Sequence, residues 1–179
     1  MTAAVRVRRV RLHEWREVRD LRIEAVSDPD AAIAFLTSRA EELARDEAFW
    51  RERTAGAALS DEAAQFVAEV DEEWVASATV LLRDAGARDH LDRIVADRRI
   101  DVVGVFVAPH HRGTGILAKL FDAAVGWATA HGANDLFLDV HADNSRAQAA
   151  YRKNGFLPTG VTFTSVIGAE IEMRRPIGF

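Results

Sequence analysis

The residues with the clearest chemical potential stand at Arg112-Gly113-Thr114-Gly115-Ile116-Leu117. They lie between an almost continuously apolar, β-branched run, Ile100–Val107, and a helical pattern at Leu117, Leu120, Phe121, Ala124 and Ala128. Backbone N–H groups at a helix start have no intrahelical partner, and the helix dipole favours an anion there. Glycines let the backbone approach that anion closely, and Arg112 adds a forked cationic donor. The segment reads as a phosphate or pyrophosphate site, with an ordinary glycine turn as the plainer alternative.

Other groups could act beside it. Asp101 lies on the same apolar run, six residues before Val107, and Glu69 lies on a neighbouring strand-like run. Tyr151 is the only tyrosine, and Asn144 opens a short helical segment that Gly155 closes. Gly113 to Ala118 also matches the dinucleotide fingerprint G-x-G-x-x-A, with Asp139 as its later acid. Against that reading, five residues separate Val107 from Gly113. Only roughly a third of the chain then remains to complete a doubly wound sheet. The adjacent pair His110-His111 has no acidic cluster beside it, so no metal site is expected.

The elements that must position these groups follow from periodicity. Val5, Val7, Val10 and Leu12 alternate with arginines over a strand near 5–11. Trp15, Val18, Leu21 and Ala25 define a helix that Asp28-Pro29 ends. Residues 30–55 read as helical again, with a Ser38/Glu41 capping box, apolar Leu43 and Trp50, and Gly56 as the stop. Gln65–Val70 and Trp74–Leu82 form a hairpin around Asp71-Glu72-Glu73. A short helix is expected around Leu91–Val95. Ile100–Val107 reads as a strand buried on both faces, followed by a helix to about Ala130. Strands at Leu136–Val140, Val161–Val166 and Ala169–Arg174, with a helix at Asn144–Asn154, complete the chain. The fold class is α/β: one domain over 1–179, a mixed sheet of six to seven strands and helices on both faces.

Composition narrows the function. The 179 residues are 49% hydrophobic and 28% charged, with net charge −5. That is ordinary globular composition, with no electrostatic prior for nucleic acid and no apolar run long enough for a membrane. The alternating N-terminus is unlike a secretion signal, so a cytoplasmic protein is expected. With no cysteine, disulfides, thiolate-held metals and thiol-acyl intermediates are all excluded.

Val105–Ala118 together with Asn144–Phe156 resembles the GNAT superfamily of acyl-CoA-dependent N-acetyltransferases. The family's Arg/Gln-x-x-Gly-x-Gly/Ala signature falls on Arg112, Gly115 and Leu117, with leucine where glycine or alanine is usual. The resemblance implies that acetyl-CoA lies in a splay between residues 100–107 and 136–140. Backbone groups of Phe106, Val107 and Ala108 would pair with the pantetheine arm, and Arg112, Gly113, Thr114, Gly115, Ile116 and Leu117 would hold the pyrophosphate. Asn144 would contact the pantetheine side, cap its helix, or do both. Tyr151 would protonate the departing thiolate, and an N–H near Val107 would hold the oxyanion. A carboxylate or a water chain must take the amine proton; Asp101 is the first candidate and Glu69 the second.

The implied activity is transfer of an acetyl group from acetyl-CoA to a primary amine of a small molecule or peptide, with no metal, nucleic-acid or membrane partner. Leu117 and the short side chain of Asp101 keep a second reading open, an acyl-CoA-binding regulatory or interaction module. The exposed edge strands of the last hairpin would allow a homodimer.

Overall fold

A computed structural model describes residues 4–178. Seven strands form one sheet in the order β1-β2-β3-β4-β5-β7-β6. They are β1 (Val5–Arg9), β2 (Ala63–Val70), β3 (Glu73–Arg83), β4 (Arg99–Val107), β5 (Asp135–His141), β6 (Leu157–Ser165) and β7 (Gly168–Pro176). All neighbours are antiparallel except β4 and β5. Helices α1 (Trp15–Val26), α2 (Arg39–Leu43) and α3 (Glu47–Leu59) serve one face, and α4 (Ile116–Ala130) and α5 (Ser145–Lys153) the other. The mixed sheet with helices on both faces agrees with the sequence reading. Among the described residues no helix is long and apolar enough to cross a membrane.

Strand alternation sorts the core into two layers. Ala64, Phe66, Ala68, Ile100, Val102, Leu136 and Leu138 pack with Ile116, Leu120, Phe121 and Ala124 of α4. On the opposite face Val67 meets Trp15, Val18 and Trp50, so the tryptophans at helical spacing are core residues. Each such fully buried side chain contributes about 1.5–3 kcal/mol.

Several expectations change at the local level. Residues 30–55 are not one helical stretch: a 3₁₀ turn at Ala31–Ile33, then α2, then α3, each restarted by its own cap. The Ser38/Glu41 capping box is present, and Asp46 caps α3 by accepting from the Phe49 N–H at 2.8 Å. Leu43 is exposed and Glu42 is buried instead, because Glu42 accepts from Arg22 at 3.0 Å and from the Thr37 hydroxyl. Gly56 does not stop α3, which runs on to Leu59; a helical glycine costs only about 1 kcal/mol, and Ala57 beside it is buried.

No helix forms at Leu91–Val95. The Asp89 carboxylate accepts from the Leu91 and Arg93 N–H groups, both at 2.9 Å, and Arg88 bridges to Ile94 as a small hairpin. An aspartate that bonds the following backbone competes with helix formation. The last hairpin contributes one edge, not two: β7 is inserted between β5 and β6, so only β6 is free.

The departure that matters for the site lies on β4. Ser77 pairs with Phe106 and Thr79 with Val103, so Gly104 and Val105 together oppose Ala78. Gly104 has φ +60°, the left-handed conformation of a glycine bulge. The extra residue reverses side-chain parity: Ile100 and Val102 face α4, yet Phe106 packs with Leu21 and Phe35 on the other face. The bulge also takes β4 away from β5, and the two strands pair only through Ile100↔Leu136 and Asp101↔Phe137. Val103, Gly104 and Val105 are consequently half-buried, where unbroken pairing predicts burial on both faces.

Candidate active site

Where β4 and β5 part, a cleft of about 430 Å³ opens between Val102–Val107 and Leu138–His141 and leads to the start of α4. Phe106, Val107, Arg112, Gly113, Gly115, Ile116, Leu117, Asn144 and Tyr151 all line it; Ala108 and Thr114 do not.

The glycine turn is built by backbone conformation. Gly113 and Gly115 have φ +76° and +84°, with nothing within 4 Å of a Cβ at either position. Thr114 closes the turn by donating its hydroxyl to the His111 carbonyl at 2.6 Å. The first intrahelical bond of α4 runs from the Lys119 N–H to the Gly115 carbonyl, so the preceding amides are free for an anion. Leu117 lines the cleft and also packs against the main core.

Gly115 and Gly126 offer a controlled comparison on one helix. Gly115→Ala forces a left-handed residue and is expected to cost about 1–2 kcal/mol. Gly126→Ala, with ordinary helical φ and open space around its Cβ, is expected to stabilise by up to about 1 kcal/mol. Urea unfolding of the two variants checks this opposition of sign.

Arg112 does not aim its fork at the turn. Its Nε donates to the Val107 carbonyl at 2.9 Å and its Nη2 to Asp28 at 2.5 Å. Burial pushes the Asp28 carboxyl up, but the Asp30 N–H and Arg112 outweigh it and hold it below the ordinary range. Arg112 therefore ties the end of β4 to the chain after α1, and the donors left free at the glycine turn are backbone amides. Of the three residues expected to offer backbone groups, Ala108 gives its N–H to Val75 at 2.8 Å and Phe106 pairs with Ser77 on β3. Strand alternation turns the Val107 N–H towards the cleft.

Asn144 caps α5 by accepting from the Ala147 N–H at 3.1 Å, and its amide donates to the Ile33 carbonyl at 3.4 Å. Tyr151 packs in an aromatic cluster with Phe121 and Phe156 at centroid distances of 6.0 and 6.2 Å. Burial pushes its hydroxyl up to about 12, so it is protonated throughout the neutral range.

The acids are distributed differently from the sequence expectation. Asp101 is buried on β4 but lines neither this cleft nor its neighbour; it accepts from Arg99 at 2.8 Å, and Arg99 bridges on to Glu172 at 2.8 Å. Its carboxyl is raised, burial outweighing Arg99. Glu69 is ion-paired with Arg8, also outside both cavities.

A second cavity of about 670 Å³ lies beneath α1 and α3 and shares Phe35, Val103, Gly104, Asp139, Ile167 and Glu170 with the first. Asp139 bonds Arg93 through Oδ2 at 2.8 Å, while Asp139 Oδ1 and Glu170 Oε1 are buried with no hydrogen-bond partner among the described residues. Burial, opposed by Arg93 and reinforced by Asp101 and Glu170, pushes the Asp139 carboxyl up to about 6. Asp139 was legible only as an acid in the dinucleotide fingerprint; its place on alternating β5 was the available signal. His141 beside it is fixed as one tautomer: Nδ1 accepts from the Asp143 N–H, so Nε2 carries the proton to the Ile167 carbonyl.

The splayed sheet thus opens one cleft beside the glycine-started helix and a second, carboxylate-bearing cavity adjoining it. The sequence model of the Acetyltransferase (GNAT) family matches residues 16–156, and the chain belongs to that family. An uncharacterised N-acetyltransferase of Mycobacterium bovis is 36% identical over 76 residues, covering 42% of this chain and 48% of that protein. The chain thus matches about half the length of the curated relatives. Among solved structures, a GNAT-family acetyltransferase from Streptococcus pneumoniae has TM-score 0.75 at 16% identity, covering 98% of this chain and 100% of that one. A phosphinothricin acetyltransferase from Sinorhizobium meliloti, solved with acetyl-CoA, has TM-score 0.71 at 18% identity, covering 99% and 90%. The mixed sheet is that of the fold these structures share, and a doubly wound dinucleotide domain is excluded by the antiparallel pairing of β1 to β4.

Proposed function

We propose that the chain is an N-acetyltransferase that takes acetyl-CoA as donor and acetylates a primary amine of a small molecule. The carrying observation is the junction of two cavities at Gly104, Asp139 and Glu170. One cavity reaches the free amides of α4, which suit a pyrophosphate. The other brings two unpartnered carboxylate oxygens to the same wall, and buried acceptors of that kind call for a donor such as an ammonium group.

In this reading Gly113 to Leu117 hold the pyrophosphate through backbone N–H groups, and the acyl arm runs along β4 past Val107. The amine nitrogen attacks the thioester carbonyl as its proton passes to Asp139, which takes the role the sequence suggests for Asp101. The oxyanion is met by the Val107 N–H. Collapse of the intermediate breaks the C–S bond, and Tyr151 gives its proton to the departing thiolate.

Calorimetric titration with acetyl-CoA, with NADH as comparison, tests the donor site: micromolar binding of acetyl-CoA alone is expected. Thiol release on an amine panel then tests turnover, with no protein cysteine to interfere. Binding without turnover on any amine would favour the acyl-CoA-binding module; no binding would sink both readings.

A further inference from the structure

The second cavity has opposite electrical character at its two ends. Over β5 and β7 it presents Asp139 and Glu170; under α1 and α3 it presents Arg22 and Arg53, with exposed Glu52 beside them. Arg22 is satisfied by Glu42 and Thr37, and Arg45 takes the other Glu42 oxygen at 3.2 Å. One buried carboxylate thus bonds two of the three neighbouring arginines, and Arg53 is the one it does not bond. Among the described residues Arg53 forms no hydrogen bond or ion pair, and its guanidinium lies 5.8 Å from the Trp50 ring centroid. Burial and the neighbouring Arg22 lower it to about 10, so it is a cation at neutral pH. Half-buried Arg53 lines the cavity with no protein partner among the described residues, which leaves its five donors to water or a ligand, and the natural ligand for that fork is an oxyanion.

We propose that the acceptor is a zwitterion, its reacting amine at Asp139 and Glu170 and a carboxylate held by Arg53. This rests on the second cavity being the acceptor site, as argued above. Helix α3, which carries Arg53, packs on β2, whereas Asp139 is on β5, three positions along the sheet. At about 4.8 Å per strand β2 and β5 lie roughly 14 Å apart within the sheet, and the long arginine side chain reaches from the helix layer above β2 into the cavity between them. The amine and the carboxylate are therefore several bonds apart, as in an ω-amino acid. A diamine of the same length would set its second ammonium against Arg53.

The test is calorimetric binding of δ-aminovalerate and ε-aminocaproate to the full chain, with pentylamine, hexylamine and cadaverine as comparisons. The amino acids are expected to bind tightest. Arg53→Gln should weaken them by about 10- to 100-fold while leaving the alkylamines unchanged, and Arg53→Lys should restore part of the loss. Tighter binding of cadaverine, equal weakening of both series by Arg53→Gln, or no binding of either amino acid overturns the proposal. Acetyl-CoA titration of the same samples reads the donor cleft separately: its failure speaks against the acetyltransferase reading, not against Arg53.

Discussion

Asp139→Asn is expected to lower kcat/KM by about 10²- to 10⁴-fold at neutral pH, the range a positioned general base contributes. The amide keeps the shape of the carboxylate but cannot take a proton. The sign of the pH dependence follows from burial, which raises the carboxyl to about 6. Below that value Asp139 is protonated and idle; above it the group is ionised and competent. The native protein should therefore lose about tenfold in kcat/KM per pH unit below 6, and the asparagine variant should lack that limb. Asp101→Asn is the control. It breaks the ion pair with Arg99 and should lower stability while leaving turnover largely intact. If Asp101→Asn abolishes turnover and Asp139→Asn spares it, the base belongs on β4 after all.

The second large effect is expected at Tyr151. Tyr151→Phe removes one hydroxyl and keeps the ring that packs with Phe121 and Phe156, so the fold and the cleft should persist. Turnover is expected to fall by about 10²-fold or more, with the dissociation constant for acetyl-CoA nearly unchanged. Because burial holds the hydroxyl near 12, Tyr151 should add no limb to the pH profile between 6 and 9. Thiol-release kinetics with calorimetry on the same variant separate the two quantities. Normal binding with full turnover would remove Tyr151 from the chemistry.

The parts of this architecture governed by short-range rules could be read in the sequence. Alternation gave the β2–β3 hairpin, whose Asp71 and Glu72 both adopt positive φ. The apolar stripe of α4, the Ser38 capping box and the glycines at 113 and 115 were equally legible. What could not be read depends on partners distant along the chain. The insertion of β7 between β5 and β6 follows from packing across the sheet. Arg112 is directed by Asp28, 84 positions away, so its fork cannot be assigned from the glycine turn alone. Asp101 shares β4 with Val107, but the Gly104 bulge lies between them, and the acids that line both cavities, Asp139 and Glu170, come from β5 and β7. Gly104 itself stood in view inside an apolar strand, where an isolated glycine signals a bulge.

The seam at Ile100↔Leu136 and Asp101↔Phe137 has a consequence for motion. With only two residue pairs joining β4 to β5, the sheet consists of two smaller ribbons, β1 to β4 and β5-β7-β6, strapped together by α4, which touches β1 through β5. Each ribbon has its own dense ladder of bonds, so the seam is where the protein opens at least cost, and amide protons bordering the splay should exchange before those in the ladders. A donor lying in the splay would bond to both ribbons and complete the missing rungs. Occupancy would then couple the two ribbons into one cooperative unit, slowing exchange on β4 and β5 together.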